Sequence, residues 1–177
     1  TRNFRRFPDP FPHYHRVDML HFPRDEFDLR IDRVRQAMAD AELDGLVLFR
    51  QESMFYLTGY DTSGYTMFQA MYLGLEAGPT LLTRTADRIQ SRNTSIIEDI
   101  QIWIDHEDAS PAMELRRILE AHGCANQRIG IEYHAYGLTG QRALMVNEAL
   151  EGLCRLVDAS DLVRLVRLIK SDLELEY

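Results

Sequence analysis

The stretch Gly45-Leu46-Val47-Leu48-Phe49 is short and wholly apolar. A strand that is buried on both faces of a sheet has this composition, because neither of its faces meets water. The stretch begins at an Asp44-Gly45 pair, which is typical of the end of a preceding helix. A doubly buried strand that follows a helix predicts an α/β domain with a helix-covered sheet.

The segment 24–42, which precedes this strand, has the periodicity of an amphipathic helix. Its apolar residues recur at steps of three or four, the spacing that aligns side chains on one face of a helix. These residues are Phe27, Ile31, Val34, Met38 and Ala41. The polar residues between them are expected to face water: Arg30, Asp32, Arg33, Arg35 and Gln36.

The rest of the chain continues as short strands and helices. Strands at 67–75 and 80–84 flank Ala77-Gly78-Pro79, which predicts an antiparallel hairpin. Further strands are predicted at 100–104, 128–132 and 153–158, and helices at 51–59, 86–93, 111–122, 139–150 and 160–169. In the last helix we expect four residues to face inward: Leu162, Leu165, Val166 and Ile169. This order predicts one α/β domain, in which a mixed parallel and antiparallel sheet is flanked by helices.

Charge and cysteine content limit the classes of partner. The 177 residues include 20 basic and 28 acidic side chains, a net charge of -8. This balance argues against nucleic acid, whose phosphates require a basic face. No apolar run approaches the ~20 residues of a membrane-spanning helix, which argues against a membrane. The two cysteines form no disulfide framework, so we expect a reducing cytoplasm, with Cys154 a buried free thiol.

The two ends of the chain differ from its middle. Residues 1–23 are rich in proline and aromatic residues, which favours an extended arm over a helix. Ser171 and Glu174 have the spacing of a capping box, which marks the start of a helix. We expect a domain at 24–170, followed at 171–177 by the first turn of a helix that links to a further domain. A frayed polar tail is the alternative.

The loop after Gly59 has the composition of a binding surface. It combines aromatic rings with polar tips, a carboxylate, and an amide that both donates and accepts hydrogen bonds. Loops with this mixture line substrate pockets. The candidate substrate-pocket residues are Tyr60, Asp61, Tyr65 and Gln69. An ordinary glycine-containing loop with one buried tyrosine is the alternative.

Other polar clusters offer less chemistry. His13 and His15 are a lone pair of histidines, and the adjacent side chains of His106-Glu107-Asp108 rarely converge on one ion. Glu132-Tyr133-His134 follows a predicted strand, but one Glu and one His make no catalytic constellation. Glycine-rich phosphate loops, HExxH and the G-x-S-x-G elbow are absent. We therefore expect neither a metal site nor a catalytic residue in this chain.

Four segments, in order along the chain, resemble one family. Residues 24–48 resemble the opening helix and strand of the creatinase/prolidase N-terminal domain, and 54–60 (MFYLTGY) resemble its Asn-x-x-Tyr-Leu-Thr-Gly-Tyr segment. Residues 128–132 (RIGIE) resemble its Ile-Gly-x-Glu strand. Residues 164–175 resemble its Arg-x-x-Lys-Ser-x-x-Glu link into a catalytic domain. The chain departs from the pattern at Gln51-Glu52-Ser53, where the family often has Pro-x-Asn.

The resemblance covers about residues 24–177 and implies a fold and an activity. The implied fold is a single three-layer, ribonuclease H-like α/β domain. The family includes Xaa-Pro dipeptidase, aminopeptidase P, creatinase and ectoine hydrolase, which cleave a C–N bond in a dipeptide or small amide. In the peptidases a second domain binds two divalent metals (Mn, Co or Zn) through two Asp, one His and two Glu. Creatinase works without metal.

The resemblance also implies a role for this chain. It would be the non-catalytic N-terminal domain of such a hydrolase, with no cofactor of its own. It would support a homodimer, and the loop that carries Tyr60, Asp61, Tyr65 and Gln69 would close the neighbouring subunit's substrate pocket. Two other functions remain open: a stand-alone binding or dimerisation module, and a small enzyme with a site near His106 and His134.

Overall fold

The computed structural model describes residues 20–177, and its centre is a six-stranded sheet. The strands are β1 (Gly45–Leu48), β2 (Ala70–Gly74), β3 (Thr80–Arg84), β4 (Asp99–Trp103), β5 (Arg128–Ile131) and β6 (Arg155–Asp158). Their order across the sheet is β4-β3-β2-β1-β5-β6. The predicted hairpin is confirmed as the antiparallel pair of β2 and β3.

Strand β2 runs against all its neighbours. It pairs antiparallel with both β1 and β3, whereas the β3–β4, β1–β5 and β5–β6 pairs are parallel. The carboxyl ends of the other strands therefore meet at one side of the sheet, and the loop that enters β2 lies there too. We call this side the carboxyl edge. It is where ligands bind in open α/β sheets.

Helices cover both faces of the sheet. They are α1 (Arg24–Asp40), α2 (Gln51–Thr58), α3 (Arg88–Thr94), α4 (Pro111–Ala121), α5 (Gly140–Leu150), α6 (Leu162–Val166) and α7 (Asp172–Glu176). Apolar side chains of α1, α2 and α6 build one core, and those of α4 and α5 build the other. Strand β1 and the residue after it supply both cores in alternation, since Leu46 and Leu48 join the first, whereas Val47 and Phe49 join the second. The predicted mixed sheet flanked by helices is confirmed.

Local chemistry sets several helix boundaries. Pro111 occupies the first turn of α4, where its missing N–H costs no hydrogen bond. Gly59 ends α2 with φ +78°, a left-handed conformation that favours glycine. Ser171 and Glu174 form the predicted capping box at the start of α7, with both reciprocal hydrogen bonds present.

The prediction that Arg30 faces water is wrong. Its side chain is 1% exposed and lies on the core side of α1. The guanidinium donates from Nε to Glu26 at 2.9 Å and from Nη1 to the Tyr56 carbonyl at 3.1 Å. It also stacks over the rings of Phe22 and Tyr56, at 4.1 Å and 4.7 Å from their centroids. A carboxylate one helical turn away and flat aromatic rings together make the burial of this charge tolerable.

Two further expectations need correction. Helix α6 is shorter than predicted, and Val163 is its buried side chain, whereas Leu165 and Ile169 are exposed. The α-helix ends at Val166 with Arg167 as its cap, so the expected stripe of inward residues is interrupted; the Lys170 ammonium donates to the Arg167 carbonyl at 2.6 Å. Cys154 is only partly buried, whereas Cys124 is the buried free thiol.

Most of the predicted N-terminal arm, residues 1–19, lies outside the described residues. The last part of it is described, and there Leu20 and Phe22 pack against the core that contains α1. Within residues 20–177, no helix is both long and apolar enough to cross a membrane.

Replacement of Arg30 by alanine should lower the free energy of unfolding by about 3–5 kcal/mol, because it leaves the buried Glu26 carboxylate without its cation. Arg117→Ala is the matched control. It removes an exposed arginine that pairs with Glu114 within α4, and should cost less than about 1 kcal/mol. Urea denaturation of both variants measures the difference. Equal losses of unfolding free energy in the two variants would show that the buried Arg30–Glu26 pair stabilises the fold no more than an exposed pair does.

Candidate functional site

The candidate loop lies at the carboxyl edge, where it leads from α2 into β2. Its first residue is tied to the start of α2, since the Gln51 amide donates to the Tyr60 carbonyl at 2.7 Å. Its last residues are tied to β4, since the Trp103 indole donates to the Phe68 carbonyl at 3.1 Å. The loop is therefore fixed at both ends by side chains from neighbouring elements.

Two of the four candidate residues support the loop from inside. Tyr60 and Gln69 are both buried, and the Tyr60 hydroxyl donates to the Gln69 side-chain oxygen at 2.6 Å. The Gln69 amide in turn donates to the Gly64 carbonyl at 3.0 Å. Burial raises the pKa of Tyr60 to about 12, so its hydroxyl stays a proton donor. These two side chains shape the loop and do not contribute to its exposed surface.

A second buried group, the Asp87 carboxylate, holds the middle of the loop. It accepts from the Thr62 hydroxyl at 2.8 Å and from the Arg84 guanidinium at 3.1 Å. Gly64 packs so closely here that an added Cβ would lie 2.6 Å from both Asp87 and Gln69. The loop is thus packed around a polar centre in which the buried groups have partners.

The other two candidates, Asp61 and Tyr65, face outward. The Tyr65 ring is 48% exposed and makes an edge-to-face contact with Tyr136, with ring centroids 6.3 Å apart. Tyr136 is 77% exposed and lies in the loop after β5. Sequence reasoning missed Tyr136, although its position shortly after a parallel strand could have placed it at the carboxyl edge.

The loops that carry these two tyrosines are locked together. One nitrogen of Arg142 donates to the Thr66 carbonyl at 2.7 Å and to the Gly137 carbonyl at 2.8 Å. Gly137 lies against the neighbouring backbone, because an added Cβ would be 3.0 Å or less from the Tyr65 and Met67 carbonyl oxygens. The tyrosine pair is therefore presented on a fixed backbone.

Glu132 is buried and joins β5 to the start of α2. Its carboxylate accepts from the backbone N–H groups of Phe49 and Arg50 at 3.1 and 3.0 Å, and from the Ser53 hydroxyl at 2.6 Å. Burial raises the pKa of Glu132 to about 7, although the Ser53 and backbone hydrogen bonds oppose this shift. Because its hydrogen-bond donors all lie just before or within the first turn of α2, the Glu132 carboxylate caps the start of that helix.

The remaining polar candidates do not come together. His134 is exposed and offers its carbonyl to the Arg50 guanidinium, and His106-Glu107-Asp108 is an exposed turn after β4. His13 and His15 lie outside the described residues. Among residues 20–177, no three His, Cys, Asp or Glu side chains are arranged to hold a metal ion.

Comparison with known proteins identifies the family. The model of the creatinase/prolidase N-terminal domain matches residues 30–169.

The chain belongs to the creatinase/prolidase N-terminal domain family.

Relatives of this domain are hydrolases and peptidases. Ectoine hydrolase of Halomonas elongata is 31% identical over 165 residues, which cover 89% of this chain and 41% of that protein. The Xaa-Pro dipeptidase from Bacillus anthracis superposes with a TM-score of 0.68 at 21% identity, over 85% of this chain and 38% of that one. The N-terminal domain of the cytoplasmic peptidase PepQ from Mycobacterium tuberculosis superposes with a TM-score of 0.63 at 23% identity. That match covers 78% of this chain and 98% of the PepQ domain. This creatinase/prolidase domain spans about two fifths of the length of its curated relatives.

The segments that carried the family resemblance hold this creatinase/prolidase domain together. Residues 54–60 end α2 and turn the chain into the candidate loop through Gly59. Residues 128–132 form β5 and deliver Glu132 to the start of α2. Gly59 provides the left-handed cap that ends α2, and Glu132 provides a buried hydrogen-bond acceptor at the start of α2.

The variant Gly137→Ala should separate the two tyrosine loops, because the new methyl group would press on two backbone carbonyls. We expect a loss of about 1–3 kcal/mol in the free energy of unfolding and a changed near-UV circular dichroism signal. Gly140→Ala is the control, since nothing lies within 4 Å of its added Cβ and the residue begins α5. The control should be neutral or slightly stabilising. Equal effects of the two changes would contradict the close packing.

The Glu132 carboxyl should make stability depend on pH. Its pKa is raised from 4.5 to about 7 on folding, so its favourable contribution is complete below about pH 4.5 and is lost as the pH rises through 7. Glu132→Gln removes this titration. The stability of the variant relative to wild type should therefore rise between pH 4.5 and 8, by on the order of 3 kcal/mol.

The control for this titration is Glu148→Gln, which changes an exposed carboxylate on α5. Urea denaturation at several pH values compares wild type with both variants. A difference in unfolding free energy between Glu132→Gln and wild type that does not change with pH would show that Glu132 does not titrate in this range.

Proposed function

We propose that this chain is the non-catalytic N-terminal domain of a hydrolase that cleaves a C–N bond in a dipeptide or small amide. The family match over residues 30–169 carries this proposal. The relative lengths support it, because the match to ectoine hydrolase covers 89% of this chain but only 41% of that protein. A longer protein would supply the catalytic residues that residues 20–177 do not bring together.

Substrate and metal belong to the same proposal. The names of the relatives suggest ectoine-like amides and Xaa-Pro dipeptides, and creatine-like compounds remain a third class. A divalent metal such as Mn, Co or Zn would be held by the catalytic domain; within residues 20–177, no three His, Cys, Asp or Glu side chains are arranged to hold one. A cytoplasmic location is in keeping with the PepQ relative, which is described as a cytoplasmic peptidase.

Within a homodimer, the carboxyl edge would close the substrate pocket of the neighbouring subunit. Three observations favour it: Asp61 and Tyr65 are exposed, Tyr65 is braced by Tyr136, and the supporting loops are fixed by Arg142. A rigid aromatic surface loses little conformational entropy on contact, which suits a lining for a partner's pocket. Tyr60 and Gln69 would contribute by holding the loop in place.

The test is Asp61→Ala with Tyr65→Ala in the full-length protein, assayed with ectoine, creatine and an Xaa-Pro dipeptide. We expect a higher KM or a lower kcat, with kcat/KM reduced on the order of tenfold, which corresponds to ~1.4 kcal/mol. Tyr136→Ala should act in the same direction. Sedimentation velocity of each variant records whether the dimer persists.

Two controls make this test decisive. Leu75→Ala changes a partly exposed apolar residue after β2, on the opposite side of the sheet, and should leave kinetics unchanged. The 177-residue chain alone should show no turnover. Wild-type kinetics in the Asp61 and Tyr65 variant would refute the pocket-closing role, and turnover by the chain alone would instead favour a small independent enzyme. A gene that ends at Tyr177 would favour the stand-alone module.

A further inference from the structure

A groove of about 560 Å³ runs along one side of α1. Its first wall is formed by residues of that helix at or near steps of three and four, which share a helix face: Arg24, Asp28, Ile31, Asp32 and Arg35. The opposite wall comes from the β2–β3 turn, the start of β4 and the residue that follows α4. Among the described residues, those of the candidate loop do not line this groove, so it is a separate surface. We call it the α1 groove.

The α1 groove carries an excess of negative charge. Two guanidinium groups line it against five carboxylates: Asp28, Asp32, Glu76, Glu98 and Asp99. Both guanidinium groups already have partners, since Arg35 donates to the Gly74 and Ala77 carbonyls at 3.2 and 2.8 Å and Arg24 lies 3.7 Å from Asp28. A cationic occupant would therefore be attracted by carboxylates that the described residues do not neutralise.

Apolar side chains lie between these charges. Ile31 and Ile96, which belong to the core that contains α1, also line the groove, and Pro79 lines it from the β2–β3 turn. A surface of this kind fits a polypeptide that carries both arginine and apolar side chains, because long basic side chains cover apolar area while their heads pair with carboxylates.

Residues 1–19 of the chain have this composition. They include four arginines and only two aspartates, in a chain whose net charge is -8. The arginines are interspersed with four aromatic residues: Phe4, Phe7, Phe11 and Tyr14. Pro8, Pro10 and Pro12 restrict the backbone before it binds, so this segment loses less conformational entropy on ordering than one without proline.

The described chain begins near the Arg24 end of the groove. Leu20 lies beside Gly59 and Thr94, since an added Cβ on Gly59 would be 3.3 Å from the Leu20 side chain and 2.8 Å from the Thr94 carbonyl oxygen. Thr94 is two residues before Ile96, which lines the groove. The α1 wall is ~16 Å long, and about five residues of extended backbone span that length. A segment of 19 residues is therefore long enough to reach along the whole groove.

We propose that residues 1–19 dock in the α1 groove of their own chain, with their arginine side chains on its carboxylates. Charge complementarity, the mixed lining and the position of Leu20 together select this occupant. The docked segment would connect α1 to the β2–β3 turn and cover the acidic wall. The family match starts at residue 30, so the proposed contact involves a segment outside the matched region and does not rest on the proposed function.

The first test is limited digestion of the full-length protein with an arginine-specific protease, with mass spectrometry of cleavage after Arg6 and Arg16. A groove variant combines Asp28→Asn, Asp32→Asn and Glu98→Gln, which remove charge at nearly constant volume. We expect cleavage at both sites to be at least about tenfold faster in this variant than in wild type, because proteolysis follows the population of the undocked segment.

The matched control combines Glu107→Gln, Asp108→Asn and Glu148→Gln. It removes the same number of exposed carboxylates outside the groove and should leave cleavage after Arg6 and Arg16 unchanged. Circular dichroism of both variants confirms that the fold is retained. Equal cleavage rates in wild type and the groove variant would overturn the docking inference.

A second measurement locates the segment without changing the groove. A photo-reactive benzoylphenylalanine in place of Tyr14 should cross-link to peptides from 24–35 or 76–80, within a product of single-chain mass. Cross-links to another surface of the same chain would overturn the inference. A product of two-chain mass that joins these same peptides would also overturn it, in favour of the segment of a second copy as occupant. The kinetics of the Asp61 and Tyr65 variants report on the proposed function independently of these results.

Discussion

The enclosure of β1 is the constraint on which the rest of the fold depends. This strand is bonded to β2 on one side and β5 on the other, and its side chains enter both cores. It has no edge and no face left for water, so each neighbouring element must cover one of its sides. Even its first residue is constrained, because a Cβ on Gly45 would lie 2.7 Å from the Tyr72 ring.

The antiparallel direction of β2 brings a loop to the carboxyl edge, where some residues are buried and support the loop and others are exposed. Because β2 begins there, the loop that precedes it must bury its polar groups among strand ends. Tyr60 and Gln69 do so with partners inside the fold, and Asp87, which follows β3, accepts from Thr62 of the loop. The side chains left outside, Tyr65 and Tyr136 among them, stand on loops that these buried groups and Arg142 fix. The buried side chains thus hold the loops in place, and different, exposed side chains are available to contact a partner.

Sequence periodicity predicted the sheet and its helices, because those elements are set by local spacing and by apolar composition. The periodicity failed at Arg30, since a helical pattern counts arginine as polar. The burial of Arg30 depends on Glu26, four residues away, and on aromatic rings outside α1. The periodicity also could not separate buried from exposed members of the candidate loop, where no regular period applies. The position of Tyr136 after a strand could have placed it at the carboxyl edge, but its contact with Tyr65 arises only in the tertiary structure. What the loop does in the full-length protein stays a prediction.

Lys170, described above at the joint between α6 and α7, is the lone lysine of the sequence. Its side chain is exposed, with the ammonium on the Arg167 carbonyl. A lysine-specific protease therefore has one place to cut this chain, and it lies between α6 and α7. An amine-reactive fluorophore on this side chain would report the local environment between α6 and α7 without any engineered cysteine.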